Sequence, residues 1–411
     1  MRWLPILLIF LLAAPALCRA TPPTAAVLKE EINRGEYDKS VEQLRREREL
    51  FPYNEGLRND LATVYALIAQ RELKLGHYPE AAAYFGQAEE ILPERSDFML
   101  MRGVALYFGK QYDAARSELG RAEESCTALL FEGRIAYDTG DLQEALRAWR
   151  RALELEPQNE MAQKFLTKLE KELPVETRMD KGYSSMFDVS FDAELPSGLS
   201  AEVLDALESA YNKVGGDFGL FPNRRIPVLL YLKSDYRVIT NGPDWSGGLY
   251  DGKIRLPLGN VAKMTPQLRG VLFHEYTHVL VAELTGGNVP TWLNEGLAEY
   301  QGRREFNPPL SFLAPAGKEG KLMGLATLSG PFAGFGGSDA GLAYQQSYSM
   351  VKYLVASYGW QAVRDVLKYL GEKDSVEEAF RKALANWALD LPGFVEQWKK
   401  SLSSDHETMK Q

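Results

Sequence analysis

The feature that most constrains the fold is an internal repeat in the first half of the chain. Residues 25–172 are rich in Ala, Leu, Glu, Arg and Tyr, with apolar positions three and four apart, the period of a helix that buries one face. With Tyr78 as anchor, Ala81, Phe85, Ala88 and Pro93 follow at +3, +7, +10 and +15, and Gly76 stands two residues before. Leu142 heads the same pattern with Ala145, Trp149, Ala152 and Pro157 behind Gly140. Tyr37 gives Ser40, Leu44 and Pro52 behind Gly35, while Tyr112 gives Ala115, Leu119 and Ala122 without the proline. Anchors 41, 34 and 30 residues apart bracket the period of about 34 that marks helix-turn-helix repeats. Each position has a physical task. Small Ala lets the two helices of a hairpin approach, the aromatic or Leu fills the gap between hairpins, and Pro stops the second helix.

The pattern resembles the tetratricopeptide repeat family. The resemblance covers about 150 residues as four repeats and a closing helix over 160–173, with the first and third repeats degenerate. It implies an all-α solenoid whose groove holds a protein partner. The whole chain of 411 residues, 45% hydrophobic and 25% charged, has the composition of folded protein and room for two or three domains. Its 47 basic and 56 acidic residues leave a net charge of -9, so nucleic acid is not expected as a partner. Cys18 and Cys126 are too few for a disulfide framework or a Cys-rich metal site. Cys126 reads as a packed side chain, and His77 and His406 as solvent-facing.

Residues 1–20 read as a signal peptide: Arg2 begins them, residues 3–14 are nearly all apolar, and Cys18-Arg19-Ala20 puts small residues at -3 and -1. The expectation is export to the periplasm or beyond, with a mature start at Thr21. The apolar run, interrupted by Pro5 and Pro15, falls short of the roughly 20 residues that cross a bilayer, so no stable membrane span is expected. A lipoprotein leader is the rival route, but Leu17 stands where a small residue would precede Cys18.

Past Pro174 the character changes. Residues 184–191 and 226–232 read as strands with a helix over 201–218 between them, and 253–258 as a further strand that Pro257 assigns to a sheet edge. Helices are expected over 265–284, from Pro290, and over 342–358, 360–371, 375–387 and 392–402, with a Gly- and Pro-rich docked segment at 307–341. The expected organisation is a repeat domain at 21–174, an α+β domain at 175–402 and a polar tail at 403–411.

His274-Glu275-Tyr276-Thr277-His278 lies within the expected helix at 265–284. Two imidazoles four residues apart share a helix face and can reach one zinc ion at about 2.1 Å each. Glu275 sits beside the metal, where a carboxylate can take a proton from an activated water. The next helix carries Trp292-Leu293-Asn294-Glu295-Gly296-Leu297-Ala298-Glu299-Tyr300. Glu295 is suited to be the third ligand, and Glu299, one turn on, to accept the outer ring N–H of a liganding histidine. Asn294 is assigned with Glu299 to the support around the ligands.

This constellation resembles the gluzincin metallopeptidases, and most closely the peptidase MA-like domains. The resemblance covers roughly residues 180–400 and implies a zincin-like fold, with His274, His278 and Glu295 as zinc ligands, Glu275 as general base and Glu299 behind the ligands. Sixteen residues separate His278 from Glu295, where the zinc aminopeptidases place two more, and their Gly-x-Met-Glu-Asn motif is absent; Gly247-Gly248-Leu249-Tyr250-Asp251 stands there instead. Exopeptidase action is therefore not expected. The run from Tyr344 to Leu354 resembles the helix that carries the oxyanion-stabilising tyrosine, which implies that role for Tyr344, with Tyr348 as the alternative.

The expected protein is thus multidomain, a tetratricopeptide solenoid followed by an α+β zincin-like domain. Its expected function is that of an exported zinc endopeptidase acting on protein or peptide substrates, with the repeats recruiting or orienting a protein partner. Two rivals stay open: a repeat-based scaffold with a non-catalytic zinc domain, and hydrolysis of a non-peptide amide in the cell envelope.

Overall fold

The computed structural model describes residues 34, 36–196, 198–232, 235, 236, 239, 249–258 and 261–408. The leader expected over 1–20, Gly35 of the Tyr37 repeat, and Gly247 and Gly248 of the run that ends at Asp251 lie outside them. Two compact units divide the chain, Met1–Leu173 and Pro174–Gln411.

The first unit is helical: α1 (Asp38–Leu50), α2 (Glu55–Leu75), α3 (Tyr78–Ile91), α4 (Ser96–Phe108), α5 (Tyr112–Arg121), α6 (Cys126–Asp138), α7 (Leu142–Leu155) and α8 (Glu160–Glu176), the last running past the boundary. The repeat positions form its core: Ala81, Phe85, Ala88, Ala115, Ala145 and Ala152 are wholly buried, and Leu119 and Trp149 nearly so. Glycine on the first helix of a hairpin contributes as much to the close approach as alanine on the second. A Cβ on Gly103 would lie 2.8 Å from Leu119 Cγ, and one on Gly133 would strike the Trp149 indole. The glycine two residues before each anchor also has a reason. Gly76 and Gly140 adopt the left-handed conformation, φ 82° and 87°, that closes the first helix. In the degenerate third repeat Lys110 stands there and takes φ 61°, a conformation that costs a non-glycine residue about 1 kcal/mol. Cys126 is buried, and burial together with Glu156 pushes its thiol up to about 12.

The second unit holds a five-stranded mixed sheet in the order β1-β2-β3-β5-β4: β1 (Asp180–Tyr183), β2 (Phe187–Phe191), β3 (Ile226–Tyr231), β4 (Leu249–Tyr250) and β5 (Ile254–Pro257). β2, β3 and β5 are parallel, and the two outer strands antiparallel. The strand expected over 184–191 starts only at Phe187, because the Ser184 hydroxyl accepts from the Met186 and Phe187 amides at 3.3 and 3.1 Å and turns the chain, and the unexpected β1 lies ahead of that turn. The edge position expected at 253–258 is also corrected. β5 lies between β3 and β4, and Pro257 is tolerated because it ends the strand.

Ile226, Val228 and Leu230 of β3 point into the main core, shared with α9 (Leu199–Phe218), α10 (Pro266–Thr285) and α11 (Thr291–Gly302). Leu229 and Tyr231 point the other way, into a smaller cluster with Val175 and Met179. Both faces are covered, which explains the unbroken apolar run of β3. Segment 307–336 is docked: α12 (Leu313–Lys318) and α13 (Leu325–Ser329) bury Leu313, Ala316 and Leu328, and Phe332 is buried beyond them. The long helix α14 (Gly337–Gly371) starts ahead of the expected 342 and breaks at Gly359, φ 77°, where two helices were expected to meet. α15 (Val376–Ala383) and α16 (Leu391–Thr408) follow, and α16 carries helix into the expected tail. No helix among the described residues is long and apolar enough to cross a membrane.

Candidate metal centre

Thr265 caps α10 by accepting from the Leu268 amide at 3.1 Å, Pro266 occupies its first turn, and Gly286 closes it at φ 57°. That helix brings His274 and His278 together with ring centroids 4.8 Å apart and planes at 82°. α11 folds back across it, and the crossing is set by two glycines. A Cβ on Gly270 would lie 2.9 Å from the Gly302 carbonyl oxygen, and one on Gly302 2.8 Å from that of Gly270. The approach carries Glu295 to the histidines: its Oε2 lies 3.4 Å from His274 Nε2 and 3.6 Å from His278 Nε2.

These separations suit one ion. Ligand atoms at about 2.1 Å from a tetrahedral zinc stand about 3.4 Å apart, and two imidazole nitrogens with one carboxylate are the donor set of catalytic zinc sites. His274, His278 and Glu295 form the one cluster among the described residues whose three ligand atoms lie within 4.8 Å of one another.

The outer nitrogens of both rings are occupied. His278 Nδ1 lies 3.0 Å from Asn294 Oδ1, and His274 Nδ1 lies 3.5 Å from Glu299 Oε1. Each contact turns Nε2 toward Glu295. Arg303, one turn beyond Glu299, donates from Nε to Glu299 Oε2 at 2.9 Å, packs its guanidinium 4.6 Å over the Tyr348 ring, and donates to the Pro308 carbonyl at 2.7 Å. Arg303 is absent from the expected site, although its i+4 spacing from Glu299 is a signal legible in the sequence. Gly270 and Gly302 carried no such signal.

Electrostatics divides the carboxylates. Burial would raise Glu295, but His278 and His274 hold it below the usual range; burial would raise Glu299, but His274 and Arg303 hold it down as well. Burial would lower His274, but Glu295, Glu299 and Glu275 keep its pKa well above the ordinary value. Glu275 goes the other way. Burial raises it and outweighs both histidines. The side chain is 4% exposed, and its Oε2 is buried without a hydrogen-bond partner.

Tyr344 packs edge-to-face on Phe332, 5.3 Å between centroids, and its phenol is pushed up by burial and then by Glu295, Glu299 and Glu275. Tyr348 faces Arg303 and Tyr300 and feels Glu299 but not Glu295. His77, expected in solvent, is half-exposed and paired with Glu72 at 2.6 Å. The side chain of His406 lies outside the described ones.

Comparison with known families agrees with this architecture. Residues 209–404 match the Peptidase MA superfamily, and residues 66–128 and 126–159 each match a tetratricopeptide repeat family. No curated protein matches the chain significantly. The chain is thus a set of tetratricopeptide repeats followed by a domain of the Peptidase MA superfamily.

Proposed function

We propose that the second unit is a zinc metallopeptidase of the HExxH-plus-Glu type, exported from the cytoplasm, that cleaves protein or peptide substrates internally while the repeats hold a protein partner. The observation that carries this reading is the free oxygen of Glu275. A buried polar atom without a partner costs about 1–3 kcal/mol. Folding recovers none of it, whereas a base placed beside a metal needs that oxygen open.

In this reading His274, His278 and Glu295 hold the zinc. When bound, zinc supplies the Lewis acidity that makes water nucleophilic near neutral pH and polarises the scissile carbonyl. Glu275 takes the proton of the attacking water on Oε2 and delivers it to the leaving amine, and its raised pKa suits both halves of that transfer. Tyr344, kept protonated by burial and by the surrounding carboxylates, donates its O–H to the developing oxyanion. Asn294 and Glu299 hold the two rings in their liganding tautomers. With β5 interior to the sheet, the edges left to an extended substrate are β1 and β4.

The test is metal content by plasma mass spectrometry on the purified protein, with Glu295→Ala alongside, followed by cleavage of a denatured protein substrate. One zinc per chain, lost in the variant, and cleavage that Glu275→Gln abolishes without losing zinc are the expected results. Absence of zinc from folded, zinc-supplied protein overturns the reading.

A further inference from the structure

Gln345, Gln346 and Ser347 directly follow Tyr344 on α14, and all three are buried, at 8%, 1% and 0% exposure. At about 100° per residue, three consecutive side chains cover more than half of a helix circumference. This turn is therefore enclosed on most sides. The Ser347 hydroxyl is buried there without a hydrogen-bond partner, but both glutamine amides have something to hold, as buried amides generally do.

The partners of the glutamines are the backbone of segment 307–336. Gln345 Oε1 accepts from the Phe312 and Leu313 amides at 2.8 and 3.0 Å. Gln346 pairs with Met323 as one strand pairs with another: Oε1 accepts from its amide at 2.9 Å and Nε2 donates to its carbonyl at 2.8 Å. Nearby, Gly341 lacks the Cβ that would lie 2.5 Å from the Phe312 ring, so the segment lies flat against α14. The far end of the segment returns to the site, where Phe332 meets the Tyr344 ring edge-on and stacks on Phe335 at 5.6 Å. Ser347 faces the opposite side. A Cβ on Gly296 would lie 2.5 Å from its carbonyl oxygen, which brings α14 against the residue next to Glu295.

We propose that Gln345 and Gln346 are positioning residues, which fasten segment 307–336 to α14 so that Phe332 fixes the Tyr344 ring. The inference rests on the peptidase reading for its consequence in catalysis, but the fastening and the position of Tyr344 have readouts of their own.

The experiment compares the full-length protein with Gln346→Ala and Phe332→Leu, with zinc content determined for each. Amide exchange across the segment and the ¹⁹F resonance of 3-fluorotyrosine placed at 344 report the structure, and steady-state cleavage reports the function. In Gln346→Ala, exchange at Met323 should rise by about tenfold or more, because a local opening loses both bonds that closed it. The Tyr344 resonance should move, and kcat should fall about tenfold with KM and zinc nearly unchanged. In Phe332→Leu the resonance and kcat should change while exchange at Met323 does not. Unchanged exchange in Gln346→Ala overturns the fastening. Faster exchange with an unmoved resonance overturns the link to Tyr344, as does a moved resonance with unchanged kcat in an active enzyme. If the zinc-loaded wild type cleaves nothing, the peptidase reading fails, and a resonance that still moves in Gln346→Ala upholds the positioning.

Discussion

The buried carboxylates of the repeats and the one beside the histidines of the second unit are held in opposite ways. In the repeats, Glu72, Glu89, Glu118 and Glu172 are each at most 8% exposed and each is paired: Glu72 with Arg71 and His77, Glu89 with Arg102 and Arg121, Glu118 with Arg121, and Glu172 with Tyr137. Glu275 is buried to the same degree, and one of its oxygens has no partner. A buried charge that is paired belongs to the fold. One that is left open works against the fold and marks a place where something other than stability selected the residue.

The largest expected effect breaks or upholds that contrast directly. Glu275→Gln should lower peptide cleavage about 10³-fold, the scale of general acid-base catalysis, while zinc is retained and the melting temperature is unchanged or raised. Glu89→Gln should leave cleavage intact and cost about 1–2 kcal/mol, a moderate figure because Arg102 and Arg121 are partly in solvent. Activity assays and thermal unfolding of the two variants side by side decide it. Equal destabilisation by both would end the comparison.

Next in size are the groups behind the ligands. Asn294→Ala and Glu299→Ala should each weaken zinc binding about 10–100-fold in competition with a chelator, since they free a ring that Nδ1 now anchors. Loss of the Arg121 contacts through Arg121→Ala, in the repeats, should leave zinc affinity unmoved.

How much of this was legible in the sequence follows from range. The repeat was legible because its contacts recur at a fixed offset, and the third repeat departs from it by its missing proline and by Lys110 where a left-handed glycine belongs. The cluster of His274, His278 and Glu295 was legible because the two histidines share a helix face and a short connection returns Glu295 to them. The turn at Ser184 was missed although its bonds are local, and the interior place of β5 was not legible, since it depends on pairing with a distant segment. Neither were the glycine crossings nor the grip of Gln345 and Gln346 on residues 312–323, because a close approach leaves no period in either partner.

Those crossings supply a third test. Gly133→Ala and Gly296→Ala both place a methyl group where an atom already stands, the Trp149 indole in one case and the Ser347 carbonyl in the other. Each should cost about 2 kcal/mol by chemical denaturation. Only Gly296→Ala should also reduce cleavage, because Glu295 is its neighbour. If Gly133→Ala reduced cleavage as much, the loss would be one of general stability.

The smallest effect is a slope, and it tests the contrast within a single unit. Glu176 is also buried in the second unit, but it is gripped by Lys253 and Arg255, with Tyr231 donating at 2.9 Å. Burial would raise its carboxyl; Lys253 and Arg255 outweigh burial and bring it below its ordinary 4.5. A carboxylate depressed on folding stabilises the protein at pH values above its unfolded pKa, and that stabilisation is lost as pH falls through the folded one. Glu275, raised on folding, has the opposite sign: ionised, it weighs against the folded state, and the penalty is relieved as pH falls toward the ordinary carboxylate range. In metal-free protein, Glu176→Gln should therefore melt below wild type at neutral pH, with the gap closing under acid conditions. Glu275→Gln should melt at or above wild type at neutral pH, with that gap also closing in acid. Melting temperatures measured from pH 7 downward give two difference curves of opposite sign that converge. Two curves on the same side of wild type would mean that Glu275 is held in the fold like any paired carboxylate, and its open oxygen would lose its claim to chemistry.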